Sequence, residues 1–427
     1  MTSMGMSPNL ALNQLVAERQ AAGERLVHLG FGESRLPAFG PLVDRLVAGA
    51  RRNAYGPVAG SAGVREAVAG YFGRRRLPTA PEQIVVAPGS KPLLMAVGHT
   101  VPGDVLIPRP AWNTYAPQAR LAGKQPIAVP IPEECGGVPD PAVLREHIRT
   151  ARAGGRDPRL MILTLPDNPT GTLASHAMIR ELCAIAEEED LLIVSDEIYR
   201  DVMHDPEADY LSPAEVAPAR TVVCTGLSKS LAVGGWRIGA ARFPEGPWGE
   251  SIRAGVLSVA SEVWSTLAGP MQEAAEYAFA EPEEIRERLR VSARLHGAVA
   301  REVHRIAVGA GARCRPPTGA FYVYPDFEPL REELGKHEVT DSASLARRML
   351  DLGTVVLAGH LLGDEPGALR FKCATSMLYG DNAEEQEMSL AAENPLELPH
   401  VRSVLDRVEE SFQRILRTAE KGFRCLL

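Results

Sequence analysis

A chain of 427 residues is longer than one hydrophobic core usually supports, so a large domain with a smaller neighbour is expected. Apolar residues make up 45% and charged residues 23%, which is ordinary globular usage and excludes a disordered chain. A net charge of -8, no run of eighteen apolar residues and no basic-then-apolar leader point to a cytoplasmic protein with neither nucleic-acid nor membrane partners.

In chain order, the first β-rich run is "QIVVAPG", which ends at Gly89, with Ser90 and Lys91 opening a helix behind it. Backbone N–H groups at such a start favour phosphate, although the fragment alone also reads as an ordinary Gly-Ser turn. "DVLIPRP" follows, with Trp112 and Tyr115 just beyond it in "RPAWNTY". An indole there could stack on a flat heterocycle or pack into a core. After "QPIAVPI" comes "RLMILTLP", which runs into the polar segment "LPDNPTGT". The segment "HAMIRELCAIAEEED" places Met178, Leu182, Ile185 and Ala186 at helical spacing. "LLIVSDE" then delivers Asp196 to a strand end, where a carboxylate can keep a pyridine nitrogen protonated. Asn168 and Tyr199 could hydrogen-bond a ring oxygen.

"RTVVCTG" leads into "GLSKS", and "IGAARFP" is the seventh candidate strand. Most lysines are solvated, but Lys229 follows an apolar strand. Burial there would depress its pKa and let the amine attack a carbonyl to form a Schiff base, with Arg237 offering a bidentate phosphate contact. Strands alternating with helices indicate an α/β domain with a mainly parallel sheet and its chemistry at the strands' carboxyl ends. The charged helical stretch from Glu281 and the strand-like "PPTGAFYVYPDF" lead into the second domain. The acidic segment 381–399 is expected to be a solvated surface loop rather than a lid. The six cysteines, Cys135, Cys183, Cys224, Cys314, Cys373 and Cys425, form no CxxC pair and read as buried or free thiols.

Taken together, "YGPVAGSAGVREAVA", "DNPTG", "SDEIY" and "SKSLAVGGWRIG" resemble the motifs of the class I/II aminotransferases, fold-type I pyridoxal-phosphate enzymes of the aspartate aminotransferase kind. The similarity runs from about Gly32 to Ser376, and the spacings agree: 28 residues from Asn168 to Asp196 and 8 from Lys229 to Arg237. The resemblance implies a seven-stranded, mainly parallel sheet in a large domain at 46–300. A smaller α+β domain follows at 301–427, with 1–45 contributing to it. It also implies that Lys229 is the Schiff-base lysine and proton shuttle, that Asp196 partners the pyridine N–H and that Asn168 and Tyr199 bind the phenolic oxygen. Trp112 would stack on the ring. The phosphate would be held by Gly89, Ser90, Lys91, Ser228 or Thr225, and Arg237, with Tyr55 entering from the other subunit of a homodimer. Gly32 and Asn168 would lie near the substrate, whose α-carboxylate Arg370 would clamp.

The implied activity is transfer of the amino group of an L-α-amino acid to a 2-oxo acid. The alternative is a lyase, cyclase or substitution enzyme of specialised biosynthesis on the same fold. A sensor domain would need a helix-turn-helix module, and only about thirty residues precede "GFGES". The chain departs from the pattern at Gly226, where many relatives carry serine, in the acidic segment, and at "SEVWSTLAGPMQ", which makes Glu262 and Trp264 candidates for shaping the pocket.

Overall fold

Each expected run is a strand in the structure, a computed structural model that describes residues 7–417. The strands are β1 (Val27–His28), β2 (Ile84–Pro88), β3 (Asp104–Arg109), β4 (Pro126–Pro130), β5 (Pro158–Thr164) and β6 (Leu192–Asp196). There follow β7 (Thr221–Gly226), β8 (Ile238–Arg242), β9 (Tyr322–Val323), β10 (Thr354–Val355), β11 (Leu357–Ala358) and β12 (Phe371–Ala374). The seven runs form one sheet in the order β2-β8-β7-β6-β5-β3-β4. Only β8 runs against its neighbours.

Both faces of the sheet are covered, which is why the strands read as continuous apolar runs. Alternate residues serve opposite faces. Leu160 and Ile162 of β5 join one core cluster with Leu93, Tyr115 and Ile252 from helices Ser90–Thr100, Tyr115–Leu121 and Gly246–Val263. Met161 and Leu163 join another with Ile148 and Leu182 from helices Pro141–Ala153 and His176–Glu188. A third cluster packs Val86 of β2 and Val223 of β7 under helices Ala62–Arg74 and Gly269–Ala280.

Helix Glu283–Gly309 links two cores. Its Ile285 belongs to the third cluster, whereas Leu295, Val299 and Val303 pack with Phe327, Phe371 and Phe412. That last cluster also takes in Val27, Leu29 and Leu36, because β1 pairs in parallel with β10. β9, β11 and β12 form an antiparallel three-stranded sheet beside it.

The acidic segment is not the surface loop expected of it. Residues Ala383–Ala391 are helical, Asn382 caps the start by accepting from the Glu385 N–H, and Leu390 is buried in the same core. Glu384 and Glu385 lie in the first turn, where carboxylates complement the helix dipole. Cys135, Cys183, Cys224 and Cys373 are buried free thiols and Cys314 is half-buried, while Cys425 lies outside the described residues. No helix among the described residues is long and apolar enough to cross a membrane.

Candidate active site

The carboxyl ends of β2, β5, β6 and β7 lead directly to Ser90, Asn168, Tyr199 and Lys229. β8 enters at the edge where these strands leave, so the residue before it, Arg237, arrives at that edge as well. Pairing of Pro88 with Ile238 sets Arg237 beside Gly89. A Cβ on Gly89 would lie 2.4 Å from the Arg237 guanidinium, and its φ of 91° is one that side chains resist.

These ends surround a cavity of about 500 Å³. Ser90, Lys91, Ser228 and Arg237 line it, with Trp112 nearby in its wall. Lys91 Nζ lies 5.1 Å over the Trp112 ring, which meets Tyr115 edge-on at 5.3 Å. Gly32, Asn168, Asp196, Tyr199 and Lys229 line the same space. Lys229 Nζ donates to the Gly32 carbonyl at 2.6 Å. Gly32 has to be glycine, because a Cβ there would fall 2.3 Å from the Tyr322 hydroxyl.

Burial is the main influence on the charged groups. It lowers the Lys229 amine to about 8, opposed by Glu33 and assisted by Arg237. Burial raises Asp196 to about 6, against the hydrogen bond that Tyr115 donates to its Oδ2 at 2.8 Å. The other oxygen, Oδ1, is buried without a partner, as is Oδ1 of Asn168. Buried acceptors are normally satisfied, so two orphans facing one cavity mark places for donors on a ligand. Asn168 Nδ2 reaches the Tyr199 hydroxyl at 3.4 Å, and Tyr199 shares a 2.6 Å hydrogen bond with Tyr322. Lys91 is lowered by burial and then by Arg237.

Four of the expected residues do not line this cavity, and Gly89, which sits beside Arg237 at its edge, is the first. Thr225 is buried within β7. Tyr55 is 89% exposed and lines a neighbouring hollow that shares Arg237 and also holds Trp264. Trp264 packs against the core and Glu262 is exposed, and neither lines the Lys229 cavity of its own chain. Arg370 is placed elsewhere. It lines a second cavity of about 420 Å³, where it pairs with Asp326 at 3.1 Å and Asp364 at 3.4 Å. The cause is register: Asp326 and Arg370 face each other across the antiparallel sheet, and opposite charges so placed attract.

Sequence reasoning missed Tyr115 as the partner of Asp196, and it missed Tyr322 and Lys372 altogether. Lys372 lines the Lys229 cavity and is 1% exposed. The available signal was a lysine in the apolar stretch "FKCA", two residues after Arg370 and therefore on the same strand face.

The model of the family described as aminotransferase class I and II matches residues 29–379. The aspartate/prephenate aminotransferase of Thermus thermophilus is 32% identical over 372 residues, covering 84% of this chain and 89% of the relative. The aspartate aminotransferase of Bacillus subtilis is 27% identical over 426 residues, 97% of this chain and 96% of its own. Among solved structures, the Thermus thermophilus aspartate aminotransferase with maleate superposes with a TM-score of 0.80 at 26% identity, over 96% of this chain and 97% of that one.

Proposed function

The chain belongs to the class I and II aminotransferases, and from that premise we propose a role for each residue around Lys229. It is a pyridoxal-phosphate-dependent enzyme that moves the amino group of an L-α-amino acid to a 2-oxo acid. The observation that carries the assignment of roles is the meeting of Lys229, the unpartnered Asp196 Oδ1 and Arg237 in one cavity.

The residues fit the cofactor. Asp196 Oδ1 lacks a donor and would take the ring N–H, and Gly89 leaves room for phosphate beside Arg237 and the Ser90 helix start. When bound, pyridoxal phosphate supplies an aldehyde that condenses with amines and a ring that draws off the electron pair freed at Cα. Asp196 would hold the proton at the ring nitrogen. Asn168 and Tyr199 would position the phenolic oxygen, with Tyr322 bonded to the Tyr199 hydroxyl. Trp112 would supply an aromatic face to the ring. Lys229, with an amine lowered to about 8, is neutral in a useful fraction near neutral pH, so Nζ can take the Cα proton and return it.

We further infer a homodimer in the cytoplasm. Exposed Tyr55 beside the hollow that shares Arg237 supports its reaching the other subunit's phosphate site, and buried free thiols suit a reducing compartment. The relatives named for aspartate and prephenate make acids with a second carboxylate the first substrates to test.

The decisive experiment supplies an amino acid without acceptor. One equivalent of 2-oxo acid per subunit should appear, and release should then stop until a second 2-oxo acid is added. Continuous turnover without acceptor would favour the lyase or cyclase alternative. Lys229→Ala should abolish both activity and borohydride-fixable cofactor; a variant that retained the linkage would remove Lys229 from its role.

A further inference from the structure

We propose that Tyr322 is a positioning residue that fixes the direction of the Tyr199 proton, so that Tyr199 acts as a donor into the Lys229 cavity. This rests on the reading above that a cofactor with a phenolic oxygen occupies that cavity. The two hydroxyls are 2.6 Å apart, and the rings meet edge-on at 5.4 Å. Burial raises both phenols, so each keeps its one proton and the pair shares a single hydrogen bond. Two polarities can be drawn, and the neighbours choose between them. If Tyr199 donated, the Tyr322 proton would be left over, and among the described residues the Tyr322 hydroxyl has no second partner. On its other side stands Gly32, where a Cβ would fall 2.3 Å from it. A buried donor without an acceptor is costly. If Tyr322 donates, the Tyr199 oxygen accepts from it and from Asn168 Nδ2 at 3.4 Å, an amide nitrogen that can only give a proton. The Tyr199 proton is then left to face the cavity that Tyr199 lines, where a ligand acceptor completes the arrangement.

Tyr322 is held to this task from both ends. Strand β9 pairs Tyr322 with Ala374 in the three-stranded sheet, whereas Tyr199 stands just beyond β6 of the seven-stranded one, so the bond joins the two sheets. A Cβ on Gly171, in the turn after Asn168, would fall 2.3 Å from the Tyr322 carbonyl, while Gly32 closes on the hydroxyl. At 1% exposure, Tyr322 cannot swing away without displacing one of these glycines. Lys372 Nζ lies 5.0 Å from the centre of its ring, and a cation there draws electron density from the hydroxyl and makes it the better donor of the pair. With the cofactor bound, its phenolic oxygen shares a proton with the nitrogen that joins it to Lys229. A donor aimed at this oxygen steadies its negative charge once the shared proton leaves, so the proton leaves at lower pH.

The test reads the pH midpoint of the bound cofactor's visible absorption in the wild type, Tyr322→Phe, Tyr199→Phe and the double variant. Tyr322→Phe should raise the midpoint by about 0.5 pH unit or more, because Tyr199 becomes a weaker and less directed donor. Added to Tyr199→Phe, the same change should shift it by less than about 0.2 unit, since Tyr322 acts only through the Tyr199 hydroxyl. The other charged groups around the cavity, Asp196, Glu33, Lys91, Arg237 and Lys372, are common to all four proteins, so the differences report the hydroxyls. A fall in the midpoint of Tyr322→Phe overturns the proposal, as it would mean that Tyr199 had been donating to Tyr322 and is now freed for the cofactor. An equal shift in the Tyr199→Phe background overturns it too, by placing the influence of Tyr322 elsewhere. If Tyr322→Phe does not fold, Tyr322→Met is read by the same criteria. A wild type that forms no borohydride-fixable linkage with pyridoxal phosphate overturns the underlying reading, whereas a wild type with the linkage and a midpoint matched by Tyr322→Phe overturns only the role of Tyr322.

Discussion

At the scale of single residues, the cavity concentrates positive charge that the fold does not neutralise. Lys229 is lowered to about 8 by burial, and Lys372 to about 7 by burial and then by Lys229 itself. Both amines sit below the ordinary lysine value of 10.5 that the unfolded chain would show. Between about pH 7 and 10.5 the unfolded state therefore binds more protons than the folded one, so stability gained from these groups rises with pH across that window and is absent below it. Each lysine contributes a slope of up to about 1.4 kcal/mol per pH unit. Denaturant midpoints of cofactor-free protein from pH 7 to 10 should carry this rise, and Lys229→Met/Lys372→Met should flatten it. An identical slope in the double variant would show that neither amine is displaced as described.

At the scale of elements, the sheet edge is secured by an ion cluster behind the site. Arg75, at the end of helix Ala62–Arg74, bonds Asp201 at 2.6 Å and Glu281 at 2.5 Å, and its guanidinium lies 3.5 Å over the Tyr71 ring. Asp201 follows Tyr199 in the loop beyond β6, so the cluster anchors a segment that supplies the site. Arg75→Met leaves Glu281 with Arg74 and Asp201 with the Tyr71 hydroxyl as remaining partners, and should cost about 1.5–3 kcal/mol by chemical denaturation; a loss below about 0.5 kcal/mol would mean the cluster is solvated in practice. The strands themselves were legible, because "LLIVSDE" and its like are continuous apolar runs that only a doubly covered sheet uses. The reversed direction of β8 was not, since "IGAAR" carries no mark of polarity along the chain. Nor was the helix Ala383–Ala391, whose acidic composition masked the Asn382 cap and the buried Ser389 and Leu390. Arg370 illustrates the deeper limit. Its motif is readable, but its position depends on Asp326 and Asp364, which only strand register and a folded loop bring beside it.

For the whole molecule, the exposed Tyr55 and the hollow beside Arg237 lead to a test of shared sites. Sedimentation should give twice the chain mass. A hybrid dimer of one Tyr55→Ala chain and one Lys229→Ala chain has one wholly native site if Tyr55 acts across the interface and none if it acts within its own chain. Recovery of activity on mixing establishes the first arrangement, and its absence, with hybrid formation demonstrated, the second. The seven-stranded sheet gives its site residues from one edge alone, which leaves its far edge free for engineering. The turn through Gly154 and Gly155 is exposed and leads into the start of β5, whose seven residues put roughly 20 Å between it and the site. A short peptide tag inserted there should serve as a tether for attaching the enzyme to a solid support, with cofactor content and KM unchanged on the immobilised material. Loss of cofactor from the tethered protein would reveal that strain imposed at one end of the strands is transmitted along them to the other.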